Sequence, residues 1–383
     1  MSAGRATSAE RAMRVLHAVT LHSPTHAFGG PVRVALNLSK GLAARGHQVR
    51  LTALGGGFDG PLPTDVEGVP ARLFQARSIL PLGFSGITSP QLLAGAHRLV
   101  RDADVVHVHL ARDLVTLPVA LAALRAGRPL VLQTHGMVDP SDKLLAKVLD
   151  ALAVRRVLHR ASAVLYLTGH ERTGLDAVLG RPLEHAVRLV NGVPAQPARP
   201  APAGPPRILY AARLQARKRP TDFVAAVPEI LKAHPDARFV VAGPDEGERA
   251  AVEALIARLG VGDRVTVPGA LSAERMREEL GLAHVYVLPS VDEPFPMSVL
   301  ESLSVGTPAV VTTSNGLARD IEEAGAGRVV TDAAGLAPAV LGLLDPAAND
   351  NASVAARKLA TEAFSMDAVL DTLLGVYERA TRA

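Results

Sequence analysis

The chain has 383 residues, with 41 Lys plus Arg against 37 Asp plus Glu, and neither Cys nor Trp. A net charge of +4 is too small an excess to argue for nucleic acid, and the lack of Cys excludes disulfides, thiolate metal sites and Cys nucleophiles. At roughly 150 residues per domain, this length argues for two domains. The start, MSAGRATSAERA, is polar without an apolar centre, so no signal peptide is read and the cytoplasm is the expected location. No apolar stretch approaches the roughly 20 residues needed to span a bilayer.

In chain order, RVLHAVTL (14–21) is the first expected strand. FGGPVRVALNLSKGLAARGHQV (28–49) follows, with Gly29 and Gly30 before Pro31 and then a helix. Pro suits the first helical position, and a Gly pair lets backbone approach a ligand closely, so helix-start amides can hold phosphate. An ordinary Gly-rich turn is the competing reading. QVRLTAL (48–54) and DVVHVHL (104–110) are further strands, with the helix PQLLAGAHRLVRD (90–102) between them. His107 and His109 are two apart on a strand and share a face. That spacing suits a metal, but the sequence offers no third ligand. Asp102 and Asp104 mark a helix-to-strand turn. PLVLQTHG (129–136) places His135 after a strand and before Gly136, a place for a site residue or a satisfied core histidine. SDKLLAKVLDALAVRRVLHRA (141–161) is an expected helix with Lys and Arg beside a Leu/Val face, either packed on the sheet or resting on anionic lipid. AVLYLT (163–168) and AVRLV (186–190) end the first half.

NGVPAQPARPAPAGPPR (191–207) has too many prolines for regular structure and reads as a hinge. Strand–helix alternation then restarts with RILYAA (207–212), RFVVAG (238–243), RVTVPG (264–269), VYVLPS (285–290), AVVTTS (309–314) and RVVTDA (328–333). Such alternation, with apolar strands, predicts two α/β domains with parallel sheets. Open sheets of this kind bind ligands at the carboxyl ends of their strands, and a cleft between two of them is the expected active site. Arg213, Arg217, Lys218 and Arg219 follow the first strand of this half, as a diphosphate-binding cluster or a solvated loop. In SVDEPFPMSVLESLSVG (290–306), Pro294 and Pro296 force a loop, and a helix of about two and a half turns ends before Gly306. Glu293 lies on that loop and Glu301 in the helix, while Phe295, Met297 and Ser298 can offer amides to an anion. SMDAVLDTLLGVYERA (365–380) is an amphipathic helix with a Ser N-cap.

Together these motifs resemble the retaining glycosyltransferases of family 4 (glycosyltransferase group 1), which have the GT-B fold. The most specific part is Glu293 and Glu301 as an E-x7-E pair inside E-P-F-x-M-x-x-L-E-S-L-x-x-G-T-P. F-G-G, R-L-x3-K-R-P at 213–220, resembling the family's R-L-x3-K-G, and N-G-V at 191–193 add to it. The resemblance implies two Rossmann-like domains facing across a cleft: residues 1–194 for the acceptor, a linker at 195–206, residues 207–364 for the nucleotide sugar, and a final helix, 365–383, crossing back. It implies a hexosyltransferase without metal or cofactor, using a UDP- or GDP-type nucleotide sugar as co-substrate. Arg213 and Lys218 would hold the donor diphosphate and Glu301 the ribose. Glu293 and the amides of Phe295, Met297 and Ser298 would hold the transferred sugar. Gly29 and Gly30 would lie against diphosphate or acceptor, His135 beside the reacting sugar, and Val267 and Gly269 beside the base. Three departures stand out: Pro296 replaces a Gly that supplies a sugar-binding amide, Arg219 replaces a small residue, and Pro194 replaces the customary acidic residue after N-G-V. FSGITSPQLLAGAHRLVRDADVVHVHL with QTHGM looks like the branch that extends lipid-linked surface polysaccharides, so a lipid-linked acceptor and a peripheral membrane location are expected; related enzymes glycosylate small metabolites. An inactive nucleotide-binding module is a rival reading. A dinucleotide oxidoreductase is another, but no G-x-G-x-x-G follows a strand.

Overall fold

The computed structural model describes residues 12–24, 29–79, 86–200 and 203–382. The polar start up to Arg11, Phe28 of the F-G-G motif, Phe84 and Ser85 of the polysaccharide-like segment, and Ala201 and Pro202 of the Pro-rich run lie outside them. The chain divides into two compact units, Met1–Leu189 with Leu370–Ala383, and Val190–Val369.

Unit 1 begins with β1 (Arg14–His22), α1 (Gly29–Ala44), β2 (Gln48–Gly55), β3 (Asp65–Val66) and β4 (Val69–Gln75). A small ribbon of β5 (Arg77–Ser78) and β6 (Ile87–Thr88) precedes α2 (Pro90–Arg101), β7 (Val105–His109), α3 (Thr116–Arg125) and β8 (Leu130–Gln133). Then come α4 (Leu144–Leu149), α5 (Arg155–Arg160), β9 (Ala163–Tyr166), α6 (Gly169–Leu179) and β10 (Ala186–Arg188). The main sheet has the order β10-β9-β8-β7-β1-β2-β4-β3, parallel except where β3 meets β4. Val106 and Val108 of β7 and Leu130 and Leu132 of β8 are buried with α2 and α3 in one core, as a parallel sheet covered on both faces requires. Strand β4 was not expected, because its VPARLFQ carries Pro70 and Arg72. A two-residue turn makes it: Glu67 and Gly68 have φ of 52° and 85°, the left-handed pair of a type I′ hairpin. The helix expected over 141–161 is interrupted by a π-helical turn at Asp150–Val154, where the buried Asp150 takes Arg112 at 2.7 and 3.0 Å.

Unit 2 runs β11 (Arg207–Ala211), α7 (Pro220–Ala233), β12 (Arg238–Ala242), α8 (Arg249–Leu259), β13 (Val265–Gly269), α9 (Ala273–Leu282) and β14 (Val285–Leu288). It continues with α10 (Met297–Val305), β15 (Ala309–Thr312), α11 (Ala318–Ala324), β16 (Gly327–Val330), α12 (Leu336–Leu344) and α13 (Pro346–Glu362). Its six strands are parallel in the order β13-β12-β11-β14-β15-β16. A last helix, α14 (Met366–Arg382), starts in unit 2, and from Leu370 onward it belongs to unit 1.

The Pro-rich run is not a free tether over its described part. Val193 donates to the Phe364 carbonyl at 2.9 Å, and Arg199 donates through its amide to Val305 at 2.8 Å and through its guanidinium to Asn349 at 2.7 Å. Burial pushes the Arg199 guanidinium down to about 10. Each main sheet reverses its strand order once, between β7 and β1 in unit 1 and between β11 and β14 in unit 2. The carboxyl ends at such reversals are where open α/β sheets bind ligands.

Candidate active site

At the reversal in unit 2, the loop after β11 and the loop after β14 are laced together. Val291 donates its amide to the Arg217 carbonyl at 2.9 Å, and Arg217 donates its guanidinium to the Asp292 carbonyl at 2.7 Å. Lys218 Nζ donates to the Glu293 carboxylate, which also lies 3.5 Å from Arg217. Lys218 and Glu293 are 8% and 7% exposed, so the alternative of a solvated loop does not hold for Lys218. Burial pulls the Lys218 ammonium below its ordinary range, with Arg217 and Arg213 acting in the same direction and Glu293 opposing them.

The four expected cations are divided among partners rather than gathered in one cluster. Arg213 meets Glu246 at 3.0 Å, and Arg219 meets Asp222 at 3.2 Å. Arg219 has φ of 48°. Glycine reaches that conformation without strain, which explains why the family pattern has a small residue there. Asp292, beside Glu293, also has φ of 48°. Of the four non-glycine residues with positive φ among the described residues, three are His135, Arg219 and Asp292, all within or beside the expected site. Non-glycine residues in this region persist only where surrounding structure enforces them, commonly at functional sites.

Helix α10 follows the loop as expected, entered through Pro296 and ended by Gly306 with φ of 92°. Phe295 is buried, its ring edge against Phe364. Met297 and Ser298 open the helix, half-buried. Ser298 Oγ is 2.8 Å from the Tyr286 hydroxyl, which donates to the Ala211 carbonyl at 2.7 Å. Burial raises the Tyr286 phenol well above its usual range, and the charges of Glu301 and Glu293 add to that. Glu301 is therefore near the same strand ends, half-buried on α10. Val267 and Gly269 sit apart from this group on the edge strand β13, where Gly269 has φ of 79° and its carbonyl accepts from Gly243 at 2.9 Å.

In unit 1, Gly29 and Gly30 open α1. A Cβ at Gly30 would meet open space, so no described protein atom requires glycine there. His135 has φ of 52°, and its Nε2 is 2.7 Å from His109 Nδ1. The loop that carries it is fixed by Glu171, whose carboxylate accepts from Thr134 Oγ1 and the Gly136 amide, both at 2.6 Å, and from the Leu167 amide at 2.7 Å.

Three participants were missing from the sequence reading. Glu171 gave no signal, being one acid in the first turn of a helix. Gly316 closes the Glu293 loop: its amide donates to the Glu293 carbonyl at 2.7 Å, and a Cβ there would overlap the Pro294 carbonyl. The S-N-G turn after β15 was its only sign. His17 pairs in register with His107 across β1 and β7, and supplies the neighbour that the pair on β7 lacked.

This arrangement of a buried lysine, partly exposed arginines, helix-start amides and carboxylates at strand ends suits a phosphorylated, hydroxyl-rich ligand. A model of the glycosyl transferase 4-like domain matches residues 29–192, and one of glycosyl transferases group 1 matches residues 195–354. A D-inositol 3-phosphate glycosyltransferase of Xylanimonas cellulosilytica is 30% identical over 408 residues, covering 97% of each chain. The chain belongs to the group 1 glycosyltransferases, and its fold is GT-B. An alpha-D-kanosaminyltransferase of Streptomyces kanamyceticus is 28% identical, over 91% of this chain and 92% of that one. Among solved structures, Anabaena HepE in complex with UDP-glucose aligns with a TM-score of 0.76 at 19% identity, over 96% of this chain and 99% of the other.

Proposed function

We propose that this glycosyltransferase moves a hexosyl unit from a nucleotide-diphosphate sugar to an acceptor hydroxyl with retention of anomeric configuration and without a divalent metal in the transfer. The observation that carries this reading is the meeting of Lys218, Arg217 and Glu293 at the sheet reversal of unit 2. In the transfer, the bond from the anomeric carbon to the diphosphate oxygen breaks. The acceptor oxygen bonds to the same face, and its proton passes to the departing phosphate. Negative charge grows on the diphosphate, so Lys218 and Arg213 stabilise the transition state more than the ground state. Glu301 takes the ribose hydroxyls, Val267 and Gly269 flank the base, and Glu293 with the amides of Phe295, Met297 and Ser298 holds the sugar. Gly29, Gly30 and His135 are the corresponding contributions of unit 1, which takes the acceptor.

A thermal-shift panel of UDP, GDP, ADP and their sugars tests the donor, because a ligand specific for the folded state raises its stability. NMR of the product, or of slow donor hydrolysis, tests the stereochemistry. Donor binding with no transfer or hydrolysis would favour an inactive module, and an inverted anomer would refute retention.

For the acceptor, one observation favours a membrane surface. Leu144, Val148 and Leu152 are 77%, 43% and 72% exposed along one stripe, and Lys147, Arg155 and Arg156 are exposed beside them. A basic helix with an apolar stripe rests on anionic lipid, which suits a lipid-linked acceptor. No described helix is long and apolar enough to cross a membrane. Flotation with anionic vesicles at low salt is the test, and absence of binding would leave small-metabolite acceptors, the kind named in the relative acting on D-inositol 3-phosphate.

A further inference from the structure

We propose that His17, His107 and His109 form a resident site for a divalent transition-metal ion of the zinc class inside unit 1. The inference goes beyond the glycosyl transfer proposed above and does not depend on it.

The site follows from strand pairing. His17 on β1 and His107 on β7 are direct partners in a parallel ladder. His109, two residues further, projects from the same face. One ring nitrogen from each of the three lies within 4.8 Å of the others. His17 Nδ1 and His109 Nε2 are 3.1 Å apart. Two nitrogens bound to one tetrahedral zinc at about 2.0–2.1 Å are separated by roughly 3.3 Å, so the cluster is already close to ligating spacing.

Burial makes this arrangement unusual for a set of plain core residues. The three are 0%, 0% and 1% exposed, yet Nε2 of His107 makes no hydrogen bond. Buried polar atoms nearly always have a partner. Gln133 on β8 is a polar neighbour of His107, but it does not satisfy that nitrogen. An ion would.

The outer nitrogens are held as metal ligands require. His107 Nδ1 is 2.7 Å from the Tyr377 hydroxyl on α14, and His109 Nδ1 is 2.7 Å from His135 Nε2. Such second partners fix ring orientation and tautomer. Imidazole donors suit zinc, copper and nickel rather than magnesium or calcium.

The ion would join β1 to β7 and, through Tyr377, to α14. With Nε2 of His109 on the metal, its Nδ1 carries the proton and donates to His135. The metal thus fixes the hydrogen bond that His135 receives without touching a reacting group.

The test uses the untagged full-length protein. Metal content is measured as isolated, and Zn2+ alone is then titrated against a chromophoric chelator while melting is followed. A single equivalent and a raised melting temperature are expected. His17→Gln and His107→Gln should each abolish that equivalent, and His185→Gln, outside the cluster, should keep it. Tyr377→Phe should weaken binding about 10- to 100-fold. If the histidine variants fail to fold, Co2+ added to the wild-type protein decides the matter, since a tetrahedral nitrogen site gives a visible absorption band that surface binding lacks. A folded wild-type protein that binds no Zn2+ and shows no cobalt band overturns the proposal, as does Zn2+ binding that survives in both histidine variants.

Discussion

Lys218 has a different character from the exposed loop cation that its sequence neighbourhood suggests. It is buried against Glu293, 75 residues away in the chain. Replacing it therefore has two separable effects. On the proposed reading, Lys218→Ala removes a charge-assisted contact to the leaving group and should lower kcat and kcat/KM by about 2–4 kcal/mol, roughly 30- to 1000-fold. It also leaves buried Glu293 with Arg217 at 3.5 Å as its remaining ion pair, a loss of stability below the about 3–5 kcal/mol typical of a buried charge left wholly unpaired. The double variant Lys218→Met with Glu293→Gln removes both charges, so it should melt higher than Lys218→Ala while staying inactive. Glu301→Ala should mainly weaken nucleotide affinity, because the ribose is unchanged in the reaction. Initial rates, UDP affinity and melting temperature of the set separate these effects. Near-normal turnover in Lys218→Ala would remove the diphosphate assignment.

Among the elements, the loop between β14 and α10 shows how much of a site rests on backbone contacts. Its Glu293–Pro294 segment lies directly on Gly316, where a methyl group has no room. Gly316→Ala should displace that loop, cost about 1–3 kcal/mol as overpacking, and weaken donor binding although residue 316 carries no functional group. Unchanged UDP affinity with a normal melting temperature would show that the loop is not held there. The strands themselves were legible from continuous Val and Leu runs, and α10 from its prolines and Gly306, because local chemistry dictates both. The E-x7-E pair stood out through its resemblance to a family pattern, because two acids on a loop and a helix read locally as exposed side chains. Contacts set by strand order were not. Nothing near His107 announces His17, because β1 becomes its neighbour only when the sheet assembles, and nothing near Lys218 announces that Glu293 will bury it.

The histidines of β1, β7 and the following loop also give unit 1 a pH dependence. His17 is held neutral by burial, down to about 3 from an ordinary 6.5. His107, His109 and His135 are shifted the same way, by burial first. Between these values the unfolded chain binds protons that the folded one refuses. The stability is therefore present above about pH 6.5 and is lost as pH falls towards 3. Each such group adds a slope of about 1.4 kcal/mol per pH unit. Melts of metal-free protein at pH 7.5, 6 and 5 should show a steep fall, and His17→Gln a shallower one. A melting temperature that stays flat over this range would contradict the buried neutral cluster.

For the whole molecule, the decisive element is α14. The chain leaves unit 1 at Leu189 and returns to it at Leu370. From there Leu370, Leu373, Leu374, Val376 and Tyr377 are all buried. Leu370 fills the space that a side chain at Gly41 would need, Arg45 meets Asp371 at 2.5 Å, and Tyr377 holds His107. Burying one large apolar side chain is worth about 1.5–3 kcal/mol, so five together are comparable with the roughly 5–15 kcal/mol that holds a typical domain folded. A chain ending at Val369 should therefore lose the cooperative folding of unit 1, whose core would be opened along α1 and β7. Unit 2 retains its own sheet and Met366–Val369, which include the contact of Met366 and Val369 with Gly192. Calorimetry of the truncated chain should thus show one surviving transition that UDP still raises, and limited proteolysis should cut first within residues 1–189. A truncated chain that keeps both transitions would mean that α14 adds little to unit 1, and loss of both would mean that the two units do not fold independently.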